Sequence, residues 1–574
     1  MVWSCDERYF FYLAERKPAK TKSFFDQKPS KPDDGVIPGN EYKFVEDWGE
    51  QLTGYSKTVL AVFDVEEQNI KLVTFDGGDD KCITKVLCDP QNPNVLYFLL
   101  RHINPFRVSM FNMFQRRSDL VRVESCFSPN PKTIPIAEGS DGIAILDVTV
   151  SPNGNAIIWL QCPDGGPHNR EFEMWKCSTF DLENTKHRIV LTPHTPLFFP
   201  YHQVFRPECW LDNKTIVFSS LTKSRSYIRT VDIEKGQIVS VDLSLISHPN
   251  ATFTLLDVRK GDLLVLEASY TMGPTLILAK NMGNNLFSFK RVHLFNDISK
   301  CLTSQIEWQL VPSKYEHYDM EYILAYPKNV TKEGKVPLLV FIHGGPHNVL
   351  DTSDHAAGCV LSGFAILLIN YPGSLGFESC ADLPGKIGVL DVKAIQQATV
   401  EALSKFDHIL DRDNVSIFGG CHGGFLALRL VAEYPNFYKT CITRNPICDF
   451  VQLVSVTDMP DWVFVECGLQ PSLTGFINLH DITKPEVLAK FNEQSPTRFA
   501  DKINCPILML LGSKDRLVPV SQGLLLYRIL KQSKPDLPIK VLMYDDGHSL
   551  ASIKTHSDAF VNIMMWIEKC RKRI

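Results

Sequence analysis

Hydrophobic and polar positions divide the chain into two textures. Over roughly the first 300 residues, short β-branched and aromatic runs repeatedly follow turn residues. Asp6-Glu7-Arg8 leads into Tyr9-Phe10-Phe11-Tyr12-Leu13, and Asp89-Pro90 through Asn94 leads into Val95-Leu96-Tyr97-Phe98-Leu99. Ser151-Pro152-Asn153-Gly154 leads into Ala156-Ile157-Ile158-Trp159-Leu160. Leu211-Asp212-Asn213-Lys214 precedes Thr215-Ile216-Val217-Phe218, and Lys260-Gly261-Asp262 precedes Leu263-Leu264-Val265-Leu266. Such runs, bounded by Asp, Asn, Gly and Pro, predict strands. The five landmarks step by roughly 50 to 80 residues, the scale of four-stranded propeller blades with loop insertions. Lys17 to Asp34, rich in lysine and proline, reads as such an insertion. A β-sandwich array gives the same local pattern and stays open here.

The second texture is longer apolar runs ending in glycine, histidine or aspartate. Leu338–Ile342, Val415–Phe418, Ile507–Leu511 and Val541–Tyr544 read as buried strands. Phe425–Tyr434 is strongly helical and stops before Pro435.

Between Val415–Phe418 and that helix lies Gly419-Gly420-Cys421-His422-Gly423-Gly424. Strand, tight glycine turn and helix form the context of a nucleophile elbow, here with cysteine where G-x-S-x-G has serine. The elbow aims the nucleophile at a helix N-terminus, where the dipole favours negative charge. A glycine-rich turn carrying an inert buried cysteine is the plainer reading of the motif alone. The strand Leu338–Ile342 ends in His343-Gly344-Gly345-Pro346, the place and type of loop that donates to an oxyanion hole. Gly345 and His422, the residue after Cys421, are the expected donors. Gly165-Gly166-Pro167-His168-Asn169 repeats residues 344–348 in a stretch with no catalytic context.

Asp515 follows the strand Ile507–Leu511, and His548 follows Val541–Tyr544. Nucleophile, acid, histidine is the α/β-hydrolase order. His548 is the expected base, and Asp515 the group that fixes its tautomer. Asp545 and Asp546 are nearer in sequence, but such close neighbours rarely point at the ring.

Composition bounds the remaining classes. The chain has 574 residues, 44% of them hydrophobic and 22% charged, enough for two or three domains with cores of their own. A net charge of −5 without a basic stripe argues against nucleic acid or an anionic membrane surface as partner. The longest apolar stretch, around residues 359–371, is too short to cross a bilayer. Asp6, Glu7 and Arg8 interrupt any signal-peptide pattern, and the 16 cysteines have no regular spacing. A cytoplasmic chain with reduced thiols is therefore expected. No C-x-x-C pair or H-E-x-x-H run occurs, so neither metal nor cofactor is expected.

Several stretches carry a family resemblance. They include His343-Gly-Gly-Pro346, Asn370-Tyr371-Pro372-Gly373-Ser374-Leu375-Gly376-Phe377, and the elbow with Phe425. Further on come Arg444-Asn445-Pro446, Asp458-Met459-Pro460-Asp461-Trp462 and Gly512-x-x-Asp515-Arg516-x-Val518-Pro519. With Glu46-Asp47-Trp48-Gly49-Glu50 near the start, the chain resembles the acylaminoacyl-peptidases of the prolyl oligopeptidase family. The resemblance implies an N-terminal all-β propeller over residues 1–310 and a C-terminal α/β-hydrolase domain over 311–574. It implies release of N-acylated residues from short peptides, and a homo-oligomer. The family has seven blades; five modules are recognisable here, so the propeller is expected to be short or incomplete. Arg444, at a strand end, is expected near the active-site rim, neutralising a substrate carboxylate, holding the loop of Asp515, or forming a rim ion pair. Phe377 and Trp462 are expected to line an apolar substrate pocket.

Three functional readings follow from cysteine at position 421. One is a peptidase running on Cys421, His548 and Asp515. A second is a hydrolase of esters or thioesters on the same scaffold. A third is a catalytically weak or inactive homologue that acts in peptide binding or assembly.

Overall fold

The computed structural model describes residues 1–572, apart from 17–19, 26–35, 74–79, 104, 200–203, 245–246, 249, 270–271, 284–285, 293–303, 331–333, 353–356 and 470–476, and apart from the side chains of 272–273. Most of the lysine- and proline-rich stretch Lys17 to Asp34 thus lies outside the described residues.

Among the described residues, five small antiparallel sheets occupy the N-terminal part, each with strands in chain order. They begin at Val2–Trp3, Lys81–Cys88, Ile143–Val150, Thr215–Thr222 and Thr252–Arg259, and the fourth has three strands where the others have four. Each sequence landmark forms an inner strand of its sheet except Thr215-Ile216-Val217-Phe218, which opens the fourth.

The alternation of side chains explains how the sheets stack. In the second sheet, Leu96, Phe98 and Leu100 pack on Phe11, Leu60 and Val62 of the first. Val95, Tyr97 and Leu99, on the opposite face, pack on Ile157 and Trp159 of the third. Ile158 and Leu160 then meet Ile216 and Phe218 of the fourth, whose Val217 meets Leu263 and Val265 of the fifth. Strands buried on both faces must be apolar throughout, so these runs lack the polar alternation of a half-exposed sheet. One cavity is lined from all five sheets or their turns, by Leu13, Val86, Val148, Leu211 and Gly261 among others, as the axis of a propeller would be. Among the described residues, no hydrophobic cluster joins the fifth sheet to the first. The outward face of the first sheet leaves Trp3, Ile70 and Leu72 more than half exposed.

The C-terminal part is built on one eight-stranded sheet. Its strands run Ile306–Tyr315, Tyr318–Pro327, Ala365–Asn370, Val336–Ile342, Leu410–Gly420, Thr440–Arg444, Ile507–Gly512 and Ile539–Tyr544 in spatial order. The first two join by antiparallel pairing, so that only the second runs against the other strands, and the remaining six are mutually parallel. One face is covered by helices Leu390–Lys405, His422–Glu433 and Ser521–Ser533, the other by Ile553–Arg571. Because the sheet starts at Ile306, the expected boundary at residue 310 falls inside its first strand. Among the described residues, no helix is long and apolar enough to cross a membrane.

The segment around residues 46–50 leaves the first sheet between strands Tyr9–Glu15 and Thr58–Asp64 and lies on the hydrolase domain. Ser109 N–H donates to Asp458 O at 2.7 Å, and Arg116 pairs with Asp461, so the second sheet is tied to the same surface.

Candidate active site

Parallel strands place their C-terminal ends along one edge, and the loops leaving those ends make the site. Strand Leu410–Gly420 ends at Cys421, which adopts φ 56° and ψ −122° before helix His422–Glu433 begins. A positive φ at a non-glycine residue is strained and marks a position held by its surroundings. The turn closes tightly enough that a Cβ at Gly419 would sit 2.1 Å from Gly423 O. Cys421 N–H donates to Arg444 O at 2.9 Å, which pins the elbow to the neighbouring strand.

One side of the His548 ring lies close enough to Cys421 for the two groups to interact. The Nδ1 of that ring is 2.6 Å from Asp515 Oδ2. The Asp515 side chain is buried, and its Oδ1 accepts Val518 N–H at 2.8 Å. Asp545 pairs instead with Lys514 at 3.0 Å, and Asp546 accepts Gly547 and Ser552 N–H. Burial pulls the His548 imidazolium down. The Asp515 carboxylate and an ionised Cys421 outweigh it and hold His548 well above its ordinary value.

The loop after strand Val336–Ile342 lies against the elbow. A Cβ at Gly344 would come within 2.9 Å of Gly420 O and 3.1 Å of Cys421 Cβ, so only glycine fits there. His343 stacks on Tyr371 at 4.3 Å and bonds Ser374 Oγ at 2.8 Å. Gly345 follows at φ 125°, and its carbonyl accepts Trp462 Nε1–H at 3.1 Å. His422 opens the helix with its ring fully buried, 3.2 Å from Asp391 Oδ2. Gly345 and His422 are therefore both fixed beside Cys421 by partners behind them.

Two of the expected substrate contacts are corrected. Trp462 is 1% exposed, packs on His422 and Phe450, and supports Gly345 from behind; it does not line an open pocket. The indole was read as apolar surface, whereas its N–H is what the loop uses. Phe377 is buried and faces a cleft with Phe198, Leu221 and Lys223 that contains none of Cys421, Asp515 or His548. Arg444 is half-buried and forms no ion pair with the described residues. Its guanidinium lies under the elbow, where a Cβ at Gly420 would be 3.0 Å from its Nε, and its Nη1–H points to Ser549 O at 3.5 Å. Burial lowers its pKa, opposed by the nearby charges of Cys421 and Asp515. Arg516 forms the ion pair instead, with Asp47 at 2.8 Å.

Two residues without an assigned role in the sequence hold the site together. Glu50, from the propeller side, accepts His548 N–H at 2.9 Å and Arg516 N–H at 3.1 Å. Asn445 donates to His548 O at 2.8 Å and accepts Gly512 N–H at 2.7 Å. Both stand in stretches that carry the family resemblance, which was the available signal.

The prolyl oligopeptidase family model matches residues 352–573. The chain is 30% identical to the acylamino-acid-releasing enzyme of Sus scrofa over 99% of its own length and 78% of that protein's. Its fold is similar to Pyrococcus horikoshii acylaminoacyl peptidase, with TM-score 0.75 at 15% identity over 100% of this chain and 81% of that one. It is similar also to an acylaminoacyl peptidase in complex with Z-Gly-Gly-Phe-chloromethyl ketone, with TM-score 0.73 at 14% identity over 99% and 80%. A full-length relative at that identity, together with an α/β-hydrolase sheet behind five propeller-type sheets, makes the chain a member of the prolyl oligopeptidase family, in its acylamino-acid-releasing branch.

Proposed function

We propose that the chain hydrolyses short N-acylated peptides, releasing the acylated terminal residue, with Cys421 as nucleophile, His548 as base and Asp515 as its orienter. The observation that carries the reading is the line Cys421, His548, Asp515, with Nδ1 to Oδ2 at 2.6 Å behind a nucleophile at φ 56°. The Cys421 sulfur attacks the carbonyl carbon of the acylated residue, and His548 holds the thiol proton. Negative charge on the carbonyl oxygen is met by the N–H groups of His422 and Gly345. The C–N bond breaks as His548 passes its proton to the leaving amine. Water, deprotonated by His548, then opens the thioester and frees the acylated amino acid.

Cysteine shifts the balance of this cycle. A thiolate is a better leaving group than an alkoxide, so the tetrahedral species returns to substrate more readily when the competing group is an amine. Sulfur is also larger than oxygen, and small misplacements at a reacting centre are costly. Esters should therefore be turned over relatively faster than amides. The peptide-like inhibitor of the similar acylaminoacyl peptidase supports a peptide-shaped substrate.

The test is turnover of N-acetyl-alanyl p-nitroanilide and the matching ester by the chain and its Cys421→Ser variant, with and without iodoacetamide. Turnover abolished by alkylation is expected. A silent native chain beside an active serine variant would overturn the reading and leave peptide binding or assembly as the function.

A further inference from the structure

The repeated stretch Gly-Gly-Pro-His-Asn has a structural consequence. One copy, at residues 165–169, lies between strands Ala156–Pro163 and Glu173–Ser178 of the third propeller sheet; the other, at 344–348, is the oxyanion-side loop. The fold brings their histidines together, with ring centroids of His168 and His347 5.1 Å apart. Glu466, the last residue of helix Pro460–Glu466, closes the group. His347 Nε2 is 3.2 Å from Glu466 Oε1, and His168 Nδ1 is 3.9 Å from the same oxygen. All three side chains are at most 3% exposed.

We propose that His168, His347 and Glu466 bind one zinc-class divalent cation, which clamps the third propeller sheet to the loop carrying Gly345. One nitrogen or oxygen from each side chain lies within 4.8 Å of the others, a set that can converge on a single ion. Ligands of one tetrahedral zinc, at bonds of about 2.0–2.1 Å, lie about 3.3 Å apart, close to the His347–Glu466 separation. His347 Nδ1 is 2.9 Å from Gly373 O, a carbonyl that can only accept. That bond places a proton on Nδ1 and leaves Nε2 facing the carboxylate. An imidazole whose other nitrogen donates to a backbone carbonyl is the usual arrangement of a metal-bound histidine. A carboxylate buried this deeply needs a positive charge beside it, which either a metal ion or an imidazolium proton supplies. Two imidazoles and a carboxylate suit zinc better than calcium or magnesium, which take oxygen ligands.

The ion would sit two residues beyond Gly345, on the helix whose Trp462 bonds the Gly345 carbonyl. The site comes from three distant segments, so no local spacing of ligands announces it. Its role is to order the loop; it donates nothing to the reaction described above.

The test uses the full chain, freed of any affinity histidines and stripped with a chelator, then titrated with zinc or cobalt(II). We expect uptake of one equivalent by mass spectrometry of the metal, a visible cobalt spectrum of tetrahedral type without a thiolate charge-transfer band, and a rise in melting temperature of about 3–6 °C. His168→Gln and Glu466→Gln should lose the uptake and the shift, while Cys421→Ser keeps both. Failure of the folded native chain to take up an equivalent would overturn the proposal and leave a proton shared between His347 and Glu466. A thiolate band that vanishes in Cys421→Ser would also overturn it, by placing the ion on Cys421 and His548. So would uptake that survives in both ligand variants.

Discussion

The Glu50 carboxylate accepts the backbone N–H of His548 at 2.9 Å, across a separation of 498 positions in the chain. Its second oxygen accepts Arg516 N–H, next to Asp515, so one side chain from the propeller part holds the loops of both base and acid. Glu50→Gln keeps the shape but turns one acceptor into a donor facing an N–H. We expect kcat to fall about 10- to 100-fold with KM within about twofold, because geometry at the reacting atoms is lost and substrate contacts are not. Steady-state kinetics on the ester substrate checks this. A raised KM at unchanged kcat would contradict it.

Trp462 acts on Gly345 through one hydrogen bond of 3.1 Å. Trp462→Phe preserves most of the packing against His422 and Phe450 and removes the donor. The expected loss in kcat is about 3- to 30-fold, in line with about 1–2 kcal/mol for a buried carbonyl left without its partner. Ester and amide kinetics should fall together, since both pass through the same oxyanion.

Arg444 carries a half-buried positive charge under the elbow, near Cys421 and Asp515. A nearby cation favours the thiolate. Arg444→Met should slow alkylation of Cys421 by iodoacetamide by about 3- to 10-fold at neutral pH. The comparison is made by peptide mass spectrometry, because the other thiols of the chain alkylate too.

Asp458 is half-buried, and its desolvation lifts its carboxyl to about 6, against the hydrogen bond from Glu50 N–H, which lowers it. The native state then holds this proton more tightly than the unfolded chain does. Stability from this group is complete below the ordinary value of 3.8 and is lost as pH rises through about 6. Native-chain stability should fall by about 1–3 kcal/mol across that window from this group, and Asp458→Asn should remove the slope. Urea unfolding at a series of pH values gives both curves.

The strand modules and the order Cys421, Asp515, His548 were legible because each is a local signal. A turn residue precedes an apolar run, and a small-residue loop follows it. Period-two burial on both faces explains why the five runs looked uniformly apolar. What stayed illegible depends on distant partners. Arg444 reads as a rim residue because it ends a strand, and only the packing of Gly420 over its guanidinium shows that it reaches under the elbow. Trp462 reads as pocket lining until its N–H has an acceptor. Glu50 and Glu466 are ordinary acids in sequence, and their meaning lies in His548 and in His168 with His347.

The long excursion from the first sheet, which ends on the backbone of the base, links substrate admission to reactivity. Swinging the propeller part aside to admit a peptide would carry Glu50 off the amides of His548 and Arg516. The placement of base and acid therefore depends on where the N-terminal part rests, and neither part keeps its geometry independently of the other.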